Sequence, residues 1–186
     1  MTESTAKEAE RVWREADCLW TEPQIERAIE STAQLIEQDL QESNPLVLVV
    51  MKGGLIFGAR LLMRLRFPLE IDYIHATRYG METSGSELLW KVLPQHELAD
   101  RHVLLVDDIL DEGQTLCKII AHCHAQKAAS VRCAVLVDKE HDRKYDPDFK
   151  ADYTCLTVPD RYVFGYGMDY KGYLRNADGV YAVKGL

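Results

Sequence analysis

Asp107 and Asp108 follow four apolar residues, Val103 to Val106, and Asp111 opens a Gly-containing turn, Asp111-Glu112-Gly113-Gln114-Thr115. A helical pattern begins near Leu116. Carboxylates are acceptor-only groups, so an adjacent pair suits the vicinal hydroxyls of a ribose or a hard cation. Backbone N–H groups of a turn that enters a helix converge on one point and favour an anion such as phosphate. Apolar strand, acidic pair, third acid and turn therefore describe a site for ribose and phosphate. The plain alternative is a buried strand followed by a solvated acidic turn.

These groups meet only if the strand is buried and its C-terminal end is open. The pattern predicts a strand at 103–106, a helix at roughly 115–126 and a strand at Ser130 to Val137. Upstream, the run Leu46 to Met51 reads as a buried strand, Lys52-Gly53-Gly54 as a turn, Leu55 to Leu65 as a helix and Leu69 to His75 as a strand. Two βαβ units imply a mainly parallel sheet, whose ligands bind beyond the C-terminal strand ends. Thr21-Glu-Pro-Gln24 has capping-box form ahead of an amphipathic helix ending near Ser43-Asn44-Pro45, and Tyr153 to Val158 reads as a further strand. Residues 77–90 are polar without periodicity, which predicts a long mobile loop of the kind that usually carries function. The tail, 159–186, is rich in Tyr and Gly and is expected to cover the site.

A chain of 186 residues with 47% hydrophobic content fits one α/β domain. Its net charge of −8 argues against nucleic acid or an anionic membrane as partner, and against a nucleic-acid-binding regulator. The sequence shows no apolar run of the roughly 18 residues a spanning helix needs, and Met1 to Glu10 lacks a signal-peptide core, so a cytoplasmic protein is expected. The five cysteines form no Cys-x-x-Cys pair, which favours reduced thiols. Cys117, His122, Cys123 and His124 do not share one helix face, so they read as packing residues rather than as a zinc site.

The run 103–115 resembles the phosphoribosyl-pyrophosphate (PRPP) motif of the type I phosphoribosyltransferases, and further segments in the same order resemble the hypoxanthine-guanine members, bacterial type. The resemblance implies their α/β fold, a mainly parallel sheet flanked by helices. It implies a single domain over 1–186, with a core at roughly 45–158, a hood from roughly 1–44 and 159–186, and a lid at roughly 77–90. At Lys52-Gly53-Gly54 it implies a cis bond between Lys52 and Gly53, with backbone N–H contacting pyrophosphate. After the strand that ends Val137-Asp138, the donor-only ammonium of Lys139 suits the carbonyl of a 6-oxopurine and opposes adenine's amino group. Tyr162 is expected to stack on the base, Val163 to pair with its edge, Asp169 to lie beside the base and the metal, and Arg175 to reach pyrophosphate. In the lid, Tyr79 matches the family tyrosine, while Arg78 stands where a serine is common.

The implied activity is purine salvage: transfer of the 5-phosphoribosyl group from PRPP to N9 of hypoxanthine or guanine, giving IMP or GMP and pyrophosphate. Asp107, Asp108, Asp111, Glu112, Gly113, Gln114 and Thr115 would hold ribose and 5′-phosphate, and Asp111 would accept the N7 proton or stabilise the oxocarbenium ion electrostatically. Mg²⁺ is implied, with Asp169 and the Asp107/Asp108 pair as its protein carboxylates. Xanthine is expected to be the poorest of the three 6-oxopurines, since its second carbonyl would face main-chain carbonyls. A homodimer or homotetramer is expected, with 55–65 and Phe67 at an interface.

Overall fold

Thr21 opens a helix as its spacing predicts: the Gln24 side chain accepts the Thr21 N–H at 3.0 Å, and Pro23 occupies the first turn. The resulting helix buries Ile25, Ile29, Ala33, Ile36 and Leu40 along one stripe. Each fully buried isoleucine contributes about 1.5–3 kcal/mol, enough to dock the helix on a sheet. The structure, a computed structural model, describes residues 4–78 and 88–185.

In chain order the elements are α1 (Thr5–Glu15), β1 (Asp17–Trp20), α2 (Glu22–Leu40), β2 (Leu46–Val50), α3 (Gly54–Leu62), β3 (Glu70–Arg78), β4 (Leu88–Val92), β5 (His102–Leu110), α4 (Gln114–Ala125), β6 (Ser130–Glu140), β7 (Tyr153–Pro159), β8 (Val163–Phe164) and β9 (Val180–Ala182). Among the described residues they build a six-stranded sheet, ordered β4-β3-β2-β5-β6-β7, and a three-stranded sheet, ordered β1-β9-β8. All neighbours in the larger sheet are parallel except β4, which runs antiparallel to β3. The α/β class and mainly parallel sheet expected from the sequence are what the protein has.

Helices cover both faces of this sheet, which is why β2 is buried along its whole length. On one face α2 and α3 pack over Val47, Val49, Leu104 and Val106. On the other, α4 places Leu116, Ile119 and Cys123 against Leu46, Leu48, Val103 and Leu105. Helix α2 therefore belongs to the main sheet, although its residues fall inside the terminal hood that the resemblance implied. The small sheet packs on two sides: Val163, Val180 and Ala182 join the core of α2 and the main sheet, while α1 sets Ala9 and Val12 against Phe164, Tyr170 and Val183.

Three local readings are corrected. The strand expected at 103–106 continues to Leu110, because β6 stays paired with it through Ile109↔Val137 and Leu110↔Asp138. Its other neighbour, β2, pairs only as far as Val49↔Val106, so Asp107 and Asp108 lie on a strand whose β2 side has become free. The non-proline cis bond joins Met51 to Lys52, one bond before the expected position. Gly53 already has helical dihedrals (φ −61°, ψ −49°) as the cap of α3, so the reversal from strand to helix falls earlier. Finally, the expected loop 77–90 is strand at both ends: Thr77 and Arg78 end β3, and 88–90 open β4, whose Leu88 to Trp90 pair back onto Arg78 to Ala76. The remainder of that segment, including Tyr79, lies outside the described residues. Among the described residues no helix is long and apolar enough to cross a membrane.

Candidate active site

Beyond the C-terminal ends of β2, β5 and β6 lies a cleft of about 690 Å³. Lys52, Gly53, Asp107, Asp108, Asp111, Glu112, Gly113, Gln114, Thr115, Lys139, Tyr162, Val163, Asp169 and Arg175 all line it. The structure thus gathers residues spread over more than 120 positions of the chain, from Lys52 to Arg175, around one space. Arg78 ends β3, and its side chain is not among those described.

The floor is shaped by close backbone approach. A Cβ on Gly53 would stand 2.1 Å from Asp108 Oδ2, and one on Gly54 would stand 2.7 Å from the Val106 carbonyl oxygen. The tail closes down on the same point: Gly167, at φ +115°, would place a Cβ 2.2 Å from the Gly53 carbonyl oxygen. Only glycine satisfies both the dihedral and the contact there. The turn opened by Asp111 ends on Gly113 in the left-handed region (φ 82°), after which α4 begins at Gln114. The first N–H groups of a helix have no partners within it, so this turn and helix start present donors at the cleft wall.

Asp107 and Asp108 are buried side by side, and the Asp108 N–H donates to Asp107 Oδ1 at 2.9 Å. Burial, reinforced by the Asp108 charge, pushes the Asp107 carboxyl well above the ordinary carboxylate range; burial also raises Asp108. Arg175 Nη1 is 3.9 Å from Asp108 Oδ2, and the same guanidinium bonds Asp169 Oδ1 and the Gly167 carbonyl. Asp169 Oδ2 accepts the Gly172 N–H at 2.7 Å. Buried oxygens in excess of nearby positive charge form a donor set that fits a hard divalent cation. Among the described residues no three His, Cys, Asp or Glu converge on a metal position, so such an ion would draw its other oxygens from substrate and water.

Also at the cleft, Lys139 Nζ donates to Asp111 Oδ2 at 2.8 Å, and His141 Nε2 lies 2.8 Å from Asp111 Oδ1. Burial alone would raise Asp111, but these two hydrogen bonds outweigh it and hold the carboxyl below its usual value. Tyr162 is 42% exposed at the rim and meets Tyr170 edge-on at 5.6 Å between ring centroids. Val163 is fixed in β8 by pairing with Ala182 of β9.

Two groups escaped the sequence reading. His141 lies just past the end of β6, where strand alternation no longer fixes its direction, and its contact with Asp111 comes from the turn that follows. Lys91 had no sequence signal either. The β3/β4 register shifts from His75↔Val92 to Ala76↔Trp90, leaving Lys91 as the extra residue of a bulge that lines the cleft beside His75. Burial, then the charges of Lys91 and Lys52, hold the His75 ring below the ordinary imidazole value, which marks this rim as cationic.

A mainly parallel sheet with an acidic pair, a glycine turn into a helix and a lysine at its strand ends defines the class as an α/β enzyme of nucleotide chemistry. The chain belongs to the phosphoribosyltransferase family: residues 16–171 match the model of the phosphoribosyl transferase domain. It is 34% identical over 154 residues to the hypoxanthine-guanine phosphoribosyltransferase of Streptococcus pneumoniae, covering 82% of this chain and 84% of that one. To the hypoxanthine-guanine-xanthine phosphoribosyltransferase of Tritrichomonas foetus it is 33% identical over 159 residues, covering 85% and 86%. The solved hypoxanthine phosphoribosyltransferase of Staphylococcus aureus superposes with a TM-score of 0.85 at 30% identity, covering 92% of this chain and 94% of that structure.

Proposed function

We infer that the protein transfers the 5-phosphoribosyl group of PRPP to N9 of hypoxanthine or guanine, forming IMP or GMP and pyrophosphate. The observation that carries this is the Lys139 to Asp111 contact of 2.8 Å, facing a cleft that the phosphate turn also lines. A donor-only ammonium selects a 6-oxo group, and the carboxylate beside it can take a proton from the same base.

The residues divide the work by position. Donors from Asp111 to Thr115 hold the 5′-phosphate, and Asp107 with Asp108 accept from the ribose hydroxyls. Lys52, the Gly53 backbone and Arg175 meet pyrophosphate. Tyr162 stacks on the base, and Val163 and Asp169 flank its edge. As N9 forms its bond to C1′ and the bond to pyrophosphate breaks, Asp111 accepts the N7 proton. Such a group contributes about 10²–10⁴-fold. Mg²⁺, held by Asp169 and the Asp107/Asp108 pair, would neutralise charge gathering on pyrophosphate. Arg78 and Tyr79 belong to the segment that would close over the substrates and exclude water.

The chain would act in the cytoplasm as a homodimer or homotetramer, with Leu55 and Met63, exposed at the two ends of α3, as interface candidates. Nucleic acid and membranes have no part in this reading, which the net charge of −8 supports. Calorimetric titration with IMP, GMP and AMP tests the base selection. IMP and GMP should bind at least about tenfold more tightly than AMP, the value of one charge-assisted hydrogen bond. Equal affinities would overturn the assignment of Lys139.

A further inference from the structure

His141 stands outside the motifs that define the site, yet its ring touches the proposed proton acceptor. The side chain is 2% exposed, and Nε2 lies 2.8 Å from Asp111 Oδ1. On the other side of the ring, the Arg143 backbone N–H donates to Nδ1 at 3.0 Å. A backbone N–H can only donate, so Nδ1 presents a lone pair and the ring proton sits on Nε2, aimed at Asp111. The main chain thereby sets the tautomer.

The two donors on Asp111 differ in what a substrate can do to them. Lys139 ends a flexible stem and can turn its ammonium to an incoming 6-oxo group. His141 has both ring nitrogens engaged and no exposed surface to move into. Its segment is tied to the phosphate turn at further points: Lys144 Nζ donates to the Leu110 and Asp111 carbonyl oxygens, each at 2.8 Å, and the Tyr145 N–H donates to the Glu112 carbonyl at 2.7 Å. His141 and Asp111 are therefore held in one frame.

We propose that His141 is a positioning residue for the transfer, holding Asp111 through Oδ1 so that Oδ2 is the oxygen presented to the purine N7 proton once Lys139 turns to the 6-oxo group. The inference rests on the reading of Asp111 as proton acceptor. In the step itself the N7–H bond breaks, the proton passes to Oδ2, and the electron pair stays in the purine ring. N9 bonds C1′ and pyrophosphate departs with the electrons of its C–O bond. His141 keeps its proton throughout, because Oδ1 of a neutral carboxyl group still accepts from Nε2–H.

The test combines His141→Leu and His141→Gln with Asp111→Asn, measuring kcat, KM for both substrates and thermal melting. His141→Leu should lower kcat by about 10–100-fold, the usual loss when a group that orients a reacting residue is removed. KM for PRPP should stay within about twofold, as expected for an interaction felt in the chemical step. His141→Gln can place its amide N–H near the Nε2 position and should restore most of the rate. In the Asp111→Asn background His141→Leu should cost nothing more. If the leucine variant does not fold, His141→Asn, whose shorter amide falls short of Asp111, replaces it. Unchanged kcat in His141→Leu, no recovery in His141→Gln, or equal losses in both backgrounds would overturn the proposal. Undiminished kcat in Asp111→Asn would instead overturn the reading of Asp111 itself.

Discussion

Lys139 Nζ and Asp111 Oδ2 are 2.8 Å apart in the free protein, so the cation suited to the 6-oxo group and the carboxylate suited to the purine proton neutralise each other before substrate arrives. The pairing holds Asp111 ionised and weakly basic. Turning the ammonium to a purine carbonyl would loosen it from Asp111 and raise the basicity of the carboxylate as the base enters. Substrate binding and base activation are then one event.

Lys139→Gln tests that coupling. It should raise KM for hypoxanthine and guanine by about 10–100-fold, the value of a hydrogen bond to a charged group. With Lys139 gone, Asp111 loses a contact that lowers its pKa, so the acid limb of the pH profile of kcat/KM should move to higher pH. Initial-rate profiles of both proteins across the acid range provide the check.

Asp107 gives a stability prediction whose sign follows from its raised pKa. A carboxyl raised in the folded state contributes stability that is full below its unfolded pKa of roughly 3.9 and is lost as pH rises through the folded value. Asp107→Asn removes the charge, so its melting temperature should exceed that of the parent at neutral pH and converge with it in acid. Nucleotide formation should fall in the same variant, since a carboxylate proposed to hold ribose and metal is lost. Thermal melts at several pH values measure the first effect.

Gly167→Ala combines a dihedral of +115° with a contact to the Gly53 carbonyl oxygen. Strain of this kind costs about 1–3 kcal/mol. Denaturant unfolding should show the loss, and the displaced Gly53 should weaken pyrophosphate binding in the same variant.

The PRPP motif was legible because thirteen neighbouring residues carry it, and buried β-branched runs located the central strands of the main sheet. The small sheet was not legible. Its strands have four, two and three residues, too few for periodicity, and they come from both ends of the chain. Helix α1 shows only Ala9 and Val12 as buried residues among polar neighbours, and its fit depends on Phe164 and Tyr170 far along the chain. Lys52-Gly53-Gly54 was legible as a turn, but its residue types do not mark which peptide bond is cis. Lys91 reaches the cleft through a register shift that composition does not encode.

Lys91→Ala carries a modest expectation. Its ammonium is exposed, so water and salt screen it, and its loss should raise KM for PRPP by about two- to fivefold while leaving purine KM unchanged. The effect should shrink as ionic strength rises. Steady-state kinetics at low and high salt separate this from a folding defect.

The most direct measurement incubates the protein with PRPP and Mg²⁺ and follows nucleotide formation from hypoxanthine, guanine, xanthine and adenine in turn. The site predicts IMP and GMP, little product from xanthine and none from adenine. Nucleotide from adenine as fast as from hypoxanthine, or no nucleotide from any base while PRPP still binds, would contradict the account.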